Sequence, residues 1–390
     1  MTEKTANAAP NGHSGFKMEP LYYLLLAIPV ALVMRFFPGQ QLLLFIVSAV
    51  AIIPLAGLMG RATENLAETM GAGIGGLLNA TFGNAAELII ALIVLLKVRF
   101  GMIELNVGYD LVKASITGSI IGNVLLVLGL AILCGGFFHK KQTFNKTAAG
   151  MGATMLALAG IGLLIPTLFW HMFPESQEYT VEYLSEEIAV ILMIVYVFSL
   201  FFSLRTHQHL FAGDEKALPT TGEHHQPEWS RKTSLIVLIS ATVGVAVMAE
   251  FLIGSVEGAA LKMGLNHVFI GVIVVAVIGN AAEHSTAVLV AMKNKMDLAY
   301  NIAVGSSLQI ALFVAPVLVF SSLLLGMDRV LDLHFSMMEA IAVVISIGVV
   351  ALVAQDGESH WMEGVMLLAV YIILALAFYH LPVPKEAAGH

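Results

Sequence analysis

The pentapeptide Gly83-Asn84-Ala85-Ala86-Glu87 recurs as Gly279-Asn280-Ala281-Ala282-Glu283, 196 residues further along the chain. Each copy falls inside an apolar run long enough to cross a bilayer, one beginning near Gly71 and the other near Asn266. A carboxylate near the bilayer centre costs at least about 2.5 kcal/mol even on the lenient insertion scale, so accident does not account for two of them. The correspondence extends on both sides. Glu64 precedes Met70-Gly71 by the spacing at which Glu257 precedes Met263-Gly264, and Gly118-Ser119 with Asn123 answers Gly305-Ser306 with Gln309.

The rest of the chain fits a membrane protein. Of its 390 residues 58% are hydrophobic and 12% charged, about half the roughly 25% charge of a soluble domain, and the mean hydropathy is +0.87. Apolar runs of about 20 residues, the length of a spanning helix, begin near Leu21, Gln41, Gly71, Leu111, Thr147, Ser185, Thr233, Asn266, Asp297, Leu333 and Trp361. An all-α integral membrane protein of about eleven transmembrane helices is expected. The one long hydrophilic interruption, residues 205–232, carries His207, His209, His224 and His225 and reads as a solvated linker.

That linker divides the runs after the first into five (41–204) and five (233–380), leaving a polar tail (1–20), an extra amino-terminal helix (21–40) and a carboxyl-terminal tail (381–390). Homologous units with an odd number of spans, joined in series, sit in opposite orientations across the bilayer, so an inverted repeat is predicted. Lys and Arg counted on alternate sides favour a cytoplasmic amino terminus and linker, with Arg35, Lys97, Arg99, Lys113, Lys262, Arg329 and Lys385 outside. The polar first 20 residues read as no cleaved signal peptide, and the short termini and linker point to a bacterial plasma membrane, with an organellar membrane as the alternative.

Formal charge is −8 without any block of Lys or Arg, which leaves no electrostatic footprint for nucleic acid. No Gly-rich phosphate loop appears, so ATP is not expected to drive the protein. The single cysteine, Cys134, excludes a disulfide framework and a Cys-based zinc site. His-Glu-x-x-His is absent and Glu283-His284 are adjacent, which speaks against an intramembrane hydrolase. No enzyme and no cofactor are expected.

The motif itself suits a cation. Gly-Asn weakens a helix, and a break there would turn backbone carbonyls, those of Gly83 and Gly279 among them, toward a cavity. Glu87 and Glu283, these carbonyls and the amides of Asn84, Asn280, Asn123 and Gln309 make an all-oxygen set, which suits Ca²⁺ better than zinc or copper. The same carboxylates can carry protons, so that metal and proton would compete for one site. Glu250 and Glu257 would guide cations toward it. For the amides the plain alternative is hydrogen bonding between helices, for Glu64, Glu68, Glu250 and Glu257 anchoring at the interface, and for Gly71, Gly73, Gly75 and Gly76 close packing. His284 reads equally as a proton relay or a hydrogen-bonded buried side chain.

The stretch Gly75-Gly76-Leu77-Leu78-Asn79-Ala80-Thr81-Phe82-Gly83-Asn84-Ala85-Ala86-Glu87-Leu88, with Gly279-Asn280-Ala281-Ala282-Glu283-His284 and Gly305-Ser306-Ser307-Leu308-Gln309-Ile310, resembles the two signature regions of the calcium/proton exchangers, the CAX branch of the calcium/cation antiporter superfamily. The resemblance runs from about Gln41 to His380. It implies one extra helix followed by two inverted five-helix repeats, and a secondary antiporter that exports cytosolic Ca²⁺ against protons by alternating access. Glu87 and Glu283 would be shared by Ca²⁺ and H⁺, with Asn84, Asn280, Ser119, Ser306 and Gln309 lining the pathway. The partners are then Ca²⁺, H⁺ and the lipid bilayer, and a homo-oligomer is left open. The linker departs from the pattern: it is His-rich where many relatives are acidic. The rivals are Na⁺/Ca²⁺ exchange, Na⁺ or K⁺/H⁺ exchange, and a cation channel whose carboxylates form a selectivity site.

Overall fold

Segments that are apolar on every face can satisfy their backbone in lipid only as helices, and helices dominate. The computed structural model describes residues 20–37, 39–70, 78, 81–173, 178–207 and 229–382. The two terminal tails, most of the linker with His209, His224 and His225, and Gly71, Gly73, Gly75 and Gly76 lie outside the described residues, as does the side chain of Glu68.

A 3₁₀ turn (Pro20–Leu26) leads into α1 (Ala27–Met34), followed by α2 (Gln41–Met70), α3 (Ala85–Arg99), α4 (Leu105–Phe138), α5 (Lys146–Met172) and α6 (Glu178–Phe201). After the linker come α7 (Arg231–Met263), α8 (His267–Gly279), α9 (Ala281–Met292), α10 (Met296–Leu324), α11 (Met337–Val353) and α12 (Trp361–Tyr379). Among the described residues seven helices are long and apolar enough to span a membrane; α8 and α9 form a further pair bent by 60°, and Leu21–Met34 and α11 are shorter apolar helices. The fold is that of an all-α membrane protein. Ile191, Ile194, Val197 and Phe198 of α6, with Leu235, Ile236, Ile239 and Val243 of α7, are exposed, an apolar surface of the kind that lipid covers.

Side-chain caps start several helices where the chain turns. Asn145 accepts from the amides of Thr147 and Ala148, Ser230 from Thr233, and Ser336 with Glu339 forms a capping box. Gly264, at φ +67°, closes α7 in the left-handed region. Two-residue strands β1 (Gln142–Thr143) and β2 (Glu358–Ser359) pair antiparallel. They tie the α4–α5 connection to the α11–α12 connection.

Three helix starts differ from the hydropathy reading. The runs placed at Leu111 and Ser185 begin as helices at Leu105 and Glu178, because polar first turns extend them. The run placed at Leu333 becomes helical only at Met337. Upstream of it the backbone amides of Leu331, Leu333 and Phe335 donate to Ser322, Ser185 and Thr167 hydroxyls instead of to a preceding turn. Two cations read as outer-loop charges, Lys97 and Lys113, are buried within α3 and α4.

The first helices after α1 and after the linker, α2 and α7, lie along one another, and α4 packs against the segment 270–275 of α8. Gly118 makes that second approach close: a Cβ there would overlap the Val272 carbonyl. This contact sets Ser119 beside the second copy of the motif.

Candidate functional site at the paired helix breaks

Both copies of Gly-Asn interrupt a helix. Asn84 (φ −103°, ψ 28°) and Asn280 (φ −90°, ψ 5°) sit outside the helical region, and the chain resumes as helix at Ala85 and Ala281. Each glutamate is thus the third residue of its helix, α3 or α9, in the first turn, where the helix dipole is positive and favours a carboxylate.

The asparagines reach across between the copies. Asn84 Nδ2 donates to Gln309 Oε1 at 2.6 Å, and Ser306 Oγ donates to Asn84 Oδ1 at 2.8 Å. In the reciprocal direction Asn280 Nδ2 donates to Ser119 Oγ at 3.0 Å and to the Ala276 carbonyl at 2.9 Å. Asn123 Nδ2 joins the two arms, donating to Ser306 Oγ at 2.9 Å and Asn280 Oδ1 at 3.3 Å. Each copy's asparagine therefore pairs with the serine of the opposite copy's following helix. Both following helices widen into a π turn at this level, Gly122–Val127 in α4 and Ile310–Val314 in α10, a distortion frequent at functional sites.

The carboxylates border this network. Glu87 is 6% exposed, and its Oε1 lies 3.1 Å from where a Cβ on Gly279 would stand, so only glycine there leaves the carboxylate its present room. Glu283 stands four residues beyond Gly279, in the first turn of α9. Glu283 Oε2 and Asn123 Oδ1 are enclosed acceptors with no hydrogen-bond partner among the described residues, and so is His284 Nε2. Two enclosed acceptors with nothing donating to them fit a cation. Among the described residues no three His, Cys, Asp or Glu side chains gather as a metal site; the donors at the breaks are two carboxylates and amide oxygens, each of which has a second lone pair.

Thus Glu87, Glu283, Asn84, Asn280, Gly279, Ser119, Asn123, Ser306 and Gln309 come together, with Gly83 in the turn just before α3. Glu250 and Glu257 do not join them. They line a separate cavity of about 210 Å³ with Arg35 and Lys97, and Lys97 Nζ donates to Glu250 Oε1 at 2.7 Å. Glu64 is exposed on α2.

Hydropathy reasoning also passed over a charged cluster beside the loop before α11. Lys113 Nζ bonds Asp332 Oδ1 at 2.5 Å, Arg329 Nη2 bonds Asp332 Oδ2 at 3.2 Å, and Arg329 Nε is 3.7 Å from Glu182. The Tyr109 hydroxyl donates to the Arg329 carbonyl. Burial pushes the Asp332 carboxyl up, but the Lys113 ammonium, its hydrogen bond and Arg329 outweigh it and leave the group below its ordinary range. Burial and then Lys113 push His334 down to about 4. A cation within a largely apolar helix, Lys113 in α4 and Lys97 in the last turn of α3, was the available signal.

The fold and site define a polytopic all-helical membrane protein with an oxygen-lined polar centre at two paired helix breaks. The model of the sodium/calcium exchanger protein family matches residues 40–205 and 233–380, and the chain belongs to that family. It is 44% identical over 372 residues to a Ca²⁺/H⁺ antiporter of Aphanothece halophytica, covering 93% of this chain and 97% of that one. It is 41% identical over 365 residues to the Ca²⁺/H⁺ antiporter ChaA of Bacillus subtilis, covering 93% and 99%. The solved structure of native YfkE superposes with a TM-score of 0.78 at 37% identity, covering 93% of this chain and 99% of that one.

Proposed function

We propose that this chain is a secondary Ca²⁺/H⁺ antiporter, a transporter and not an enzyme, in which Glu87 and Glu283 are shared between one Ca²⁺ and the protons exchanged for it. The observation that carries the reading is the pair of carboxylates at the crosswise network, with Glu283 Oε2 enclosed and without a donor among the described residues. The near full-length likeness to two Ca²⁺/H⁺ antiporters supports it. Deprotonated, the two glutamates offer two negative charges to a divalent cation; protonated, they release it. Metal and proton then exclude one another at one place, which is what couples their fluxes.

Asn84, Asn280, Ser119, Asn123, Ser306 and Gln309 hold the two breaks in register, and the amide oxygens with the Gly83 and Gly279 carbonyls complete an oxygen shell for Ca²⁺. Segments 41–204 and 233–380 act as inverted halves whose rocking exposes the site alternately to each side. The amino terminus and the 205–232 linker are cytoplasmic, in a bacterial plasma membrane, so that export runs toward the α6-start and α7-end side. Ca²⁺ is cargo, with no resident cofactor.

The purified chain in liposomes tests this. Ca²⁺ uptake that requires an imposed pH gradient, ignores Na⁺ and is lost in Glu87→Gln and in Glu283→Gln is expected. Uptake that follows Na⁺, or a normal rate in either variant, overturns it.

A further inference from the structure

The cavity lined by Glu250 and Glu257 contains its own cations. Lys97 lies ten residues beyond Glu87 on α3, roughly 15 Å along the helix, and belongs to the same buried set as Ile90, Ala91, Val94 and Val98. Its side chain is 10% exposed, whereas that of Glu250 is 46% exposed. From a largely buried position the ammonium therefore meets a carboxylate that water also reaches. Gly254, one turn along α7 from Glu250, leaves the space beside it open: a Cβ there would stand 3.7 Å from Lys97 Nζ. On the neighbouring wall the Arg35 guanidinium lies 5.9 Å over the Phe251 ring.

The two carboxylates of this cavity thus share it with two cations, Lys97 and Arg35, in contrast to the helix breaks. We propose that this cavity is the outer mouth of the pathway, and that Lys97 is a tethered cation there that occupies Glu250 and thereby lowers the affinity for divalent cations. A divalent ion arriving at Glu250 must displace the ammonium or bind beside it. Lysine suits the task better than arginine would for a permanent bond, since it is a compact charge on a flexible stem and makes no bidentate clamp. In a protein that exports its cation toward this side, a weak outer mouth opposes rebinding. The inference rests on the exchange reading above, which supplies the cargo and the sidedness.

The test compares wild type, Lys97→Met, Lys97→Arg, Glu250→Gln and the Lys97→Met/Glu250→Gln pair, full-length, in vesicles of both orientations. In Lys97→Met the Ca²⁺ concentration for half-maximal flux should fall about tenfold at the outer face, a modest figure because Glu250 is half exposed to screening solvent, and stay unchanged at the inner face. Lys97→Arg should keep the charge and stay nearer wild type. In the Glu250→Gln background the Lys97→Met gain should vanish, because the carboxylate it frees is gone. No shift in Lys97→Met, or an equal shift at both faces, overturns the proposal. Should Lys97→Met not fold, Glu250→Gln decides alone: outer-face half-saturation must rise above wild type, and an unchanged value overturns the idea. Failure of the exchange reading shows separately, as wild-type flux that ignores protons or Ca²⁺. Equilibrium binding of radioactive Ca²⁺ to the purified chain still tests Lys97 in that event, and binding no tighter in Lys97→Met than in wild type overturns it.

Discussion

The helix breaks and the charged cluster beside the loop before α11 both bury carboxylates, and they treat them oppositely. Asp332 is 2% exposed and has Lys113 and Arg329 bonded to its two oxygens. Glu87 is 6% exposed and Glu283 has an enclosed oxygen without a donor among the described residues; around them stand amides and hydroxyls, which hold position but bring no charge. A buried carboxylate with its counter-charge built in is a structural joint. One whose counter-charge is not built in is open to a cation from outside, a metal or a proton.

Four experiments sharpen or break this comparison. The largest effect is expected at the breaks: the double variant Glu87→Gln/Glu283→Gln should lose all proton-linked Ca²⁺ flux yet unfold at a temperature no lower than wild type, because like charges are removed from a buried site that holds no counter-charge of its own among the described residues. A marked fall in its melting temperature in detergent would mean the carboxylates are structural joints after all.

Next, stripping the cation from the cluster should make it behave like an uncompensated site. Lys113→Met leaves Asp332 buried and short of its main partner, a loss of about 3–5 kcal/mol, while Lys113→Met/Asp332→Leu should recover most of it. Equal destabilisation of the single and double variants, read by chemical unfolding, would show that the pair adds nothing specific.

A smaller effect is expected at Gly279. Alanine there brings a Cβ to 3.1 Å from Glu87 Oε1, so Gly279→Ala should weaken Ca²⁺ affinity several-fold with little change in melting temperature. An unchanged half-saturation constant would place the working position of Glu87 elsewhere.

The smallest effect is a pH dependence of stability at the cluster. His334 is pushed down to about 4 by burial and by Lys113, so between its ordinary value near 6.5 and about 4 the unfolded chain binds the proton and the folded chain does not. Its contribution is therefore complete above pH 6.5 and fades as pH falls toward 4. Asp332, also below its ordinary range, keeps its contribution to lower pH still. His334→Gln should flatten the melting-temperature profile between pH 6.5 and 4; a profile identical to wild type would remove His334 from the account.

Much of this was legible in the residues. The duplicated Gly-Asn-Ala-Ala-Glu carries its own reasons for a break followed by a carboxylate in a first turn, since glycine and asparagine are poor helix interior residues. The apolar runs identify the fold class because lipid admits only helices and closed barrels, and barrel strands alternate polar with apolar residues where these runs do not. Helix starts slipped where polar first turns or side-chain hydroxyls, as at Ser185 and Thr167, captured backbone amides. Those captures link residues more than 140 positions apart, beyond the range of any periodicity.

Sequence alone therefore determined the membrane class, the two breaks and the pair of glutamates, because these follow from composition and from short-range backbone chemistry. Only the tertiary structure decided that Asn84 meets Ser306 while Asn280 meets Ser119, that Glu87 rests on Gly279, and that Lys97 and Lys113 are buried partners of Glu250 and Asp332. The physical reason is that a side chain's counter-charge and hydrogen-bond partner are set by which helices touch. In a bundle of apolar helices that choice rests on close approaches such as Gly118 on Val272, which no single segment contains.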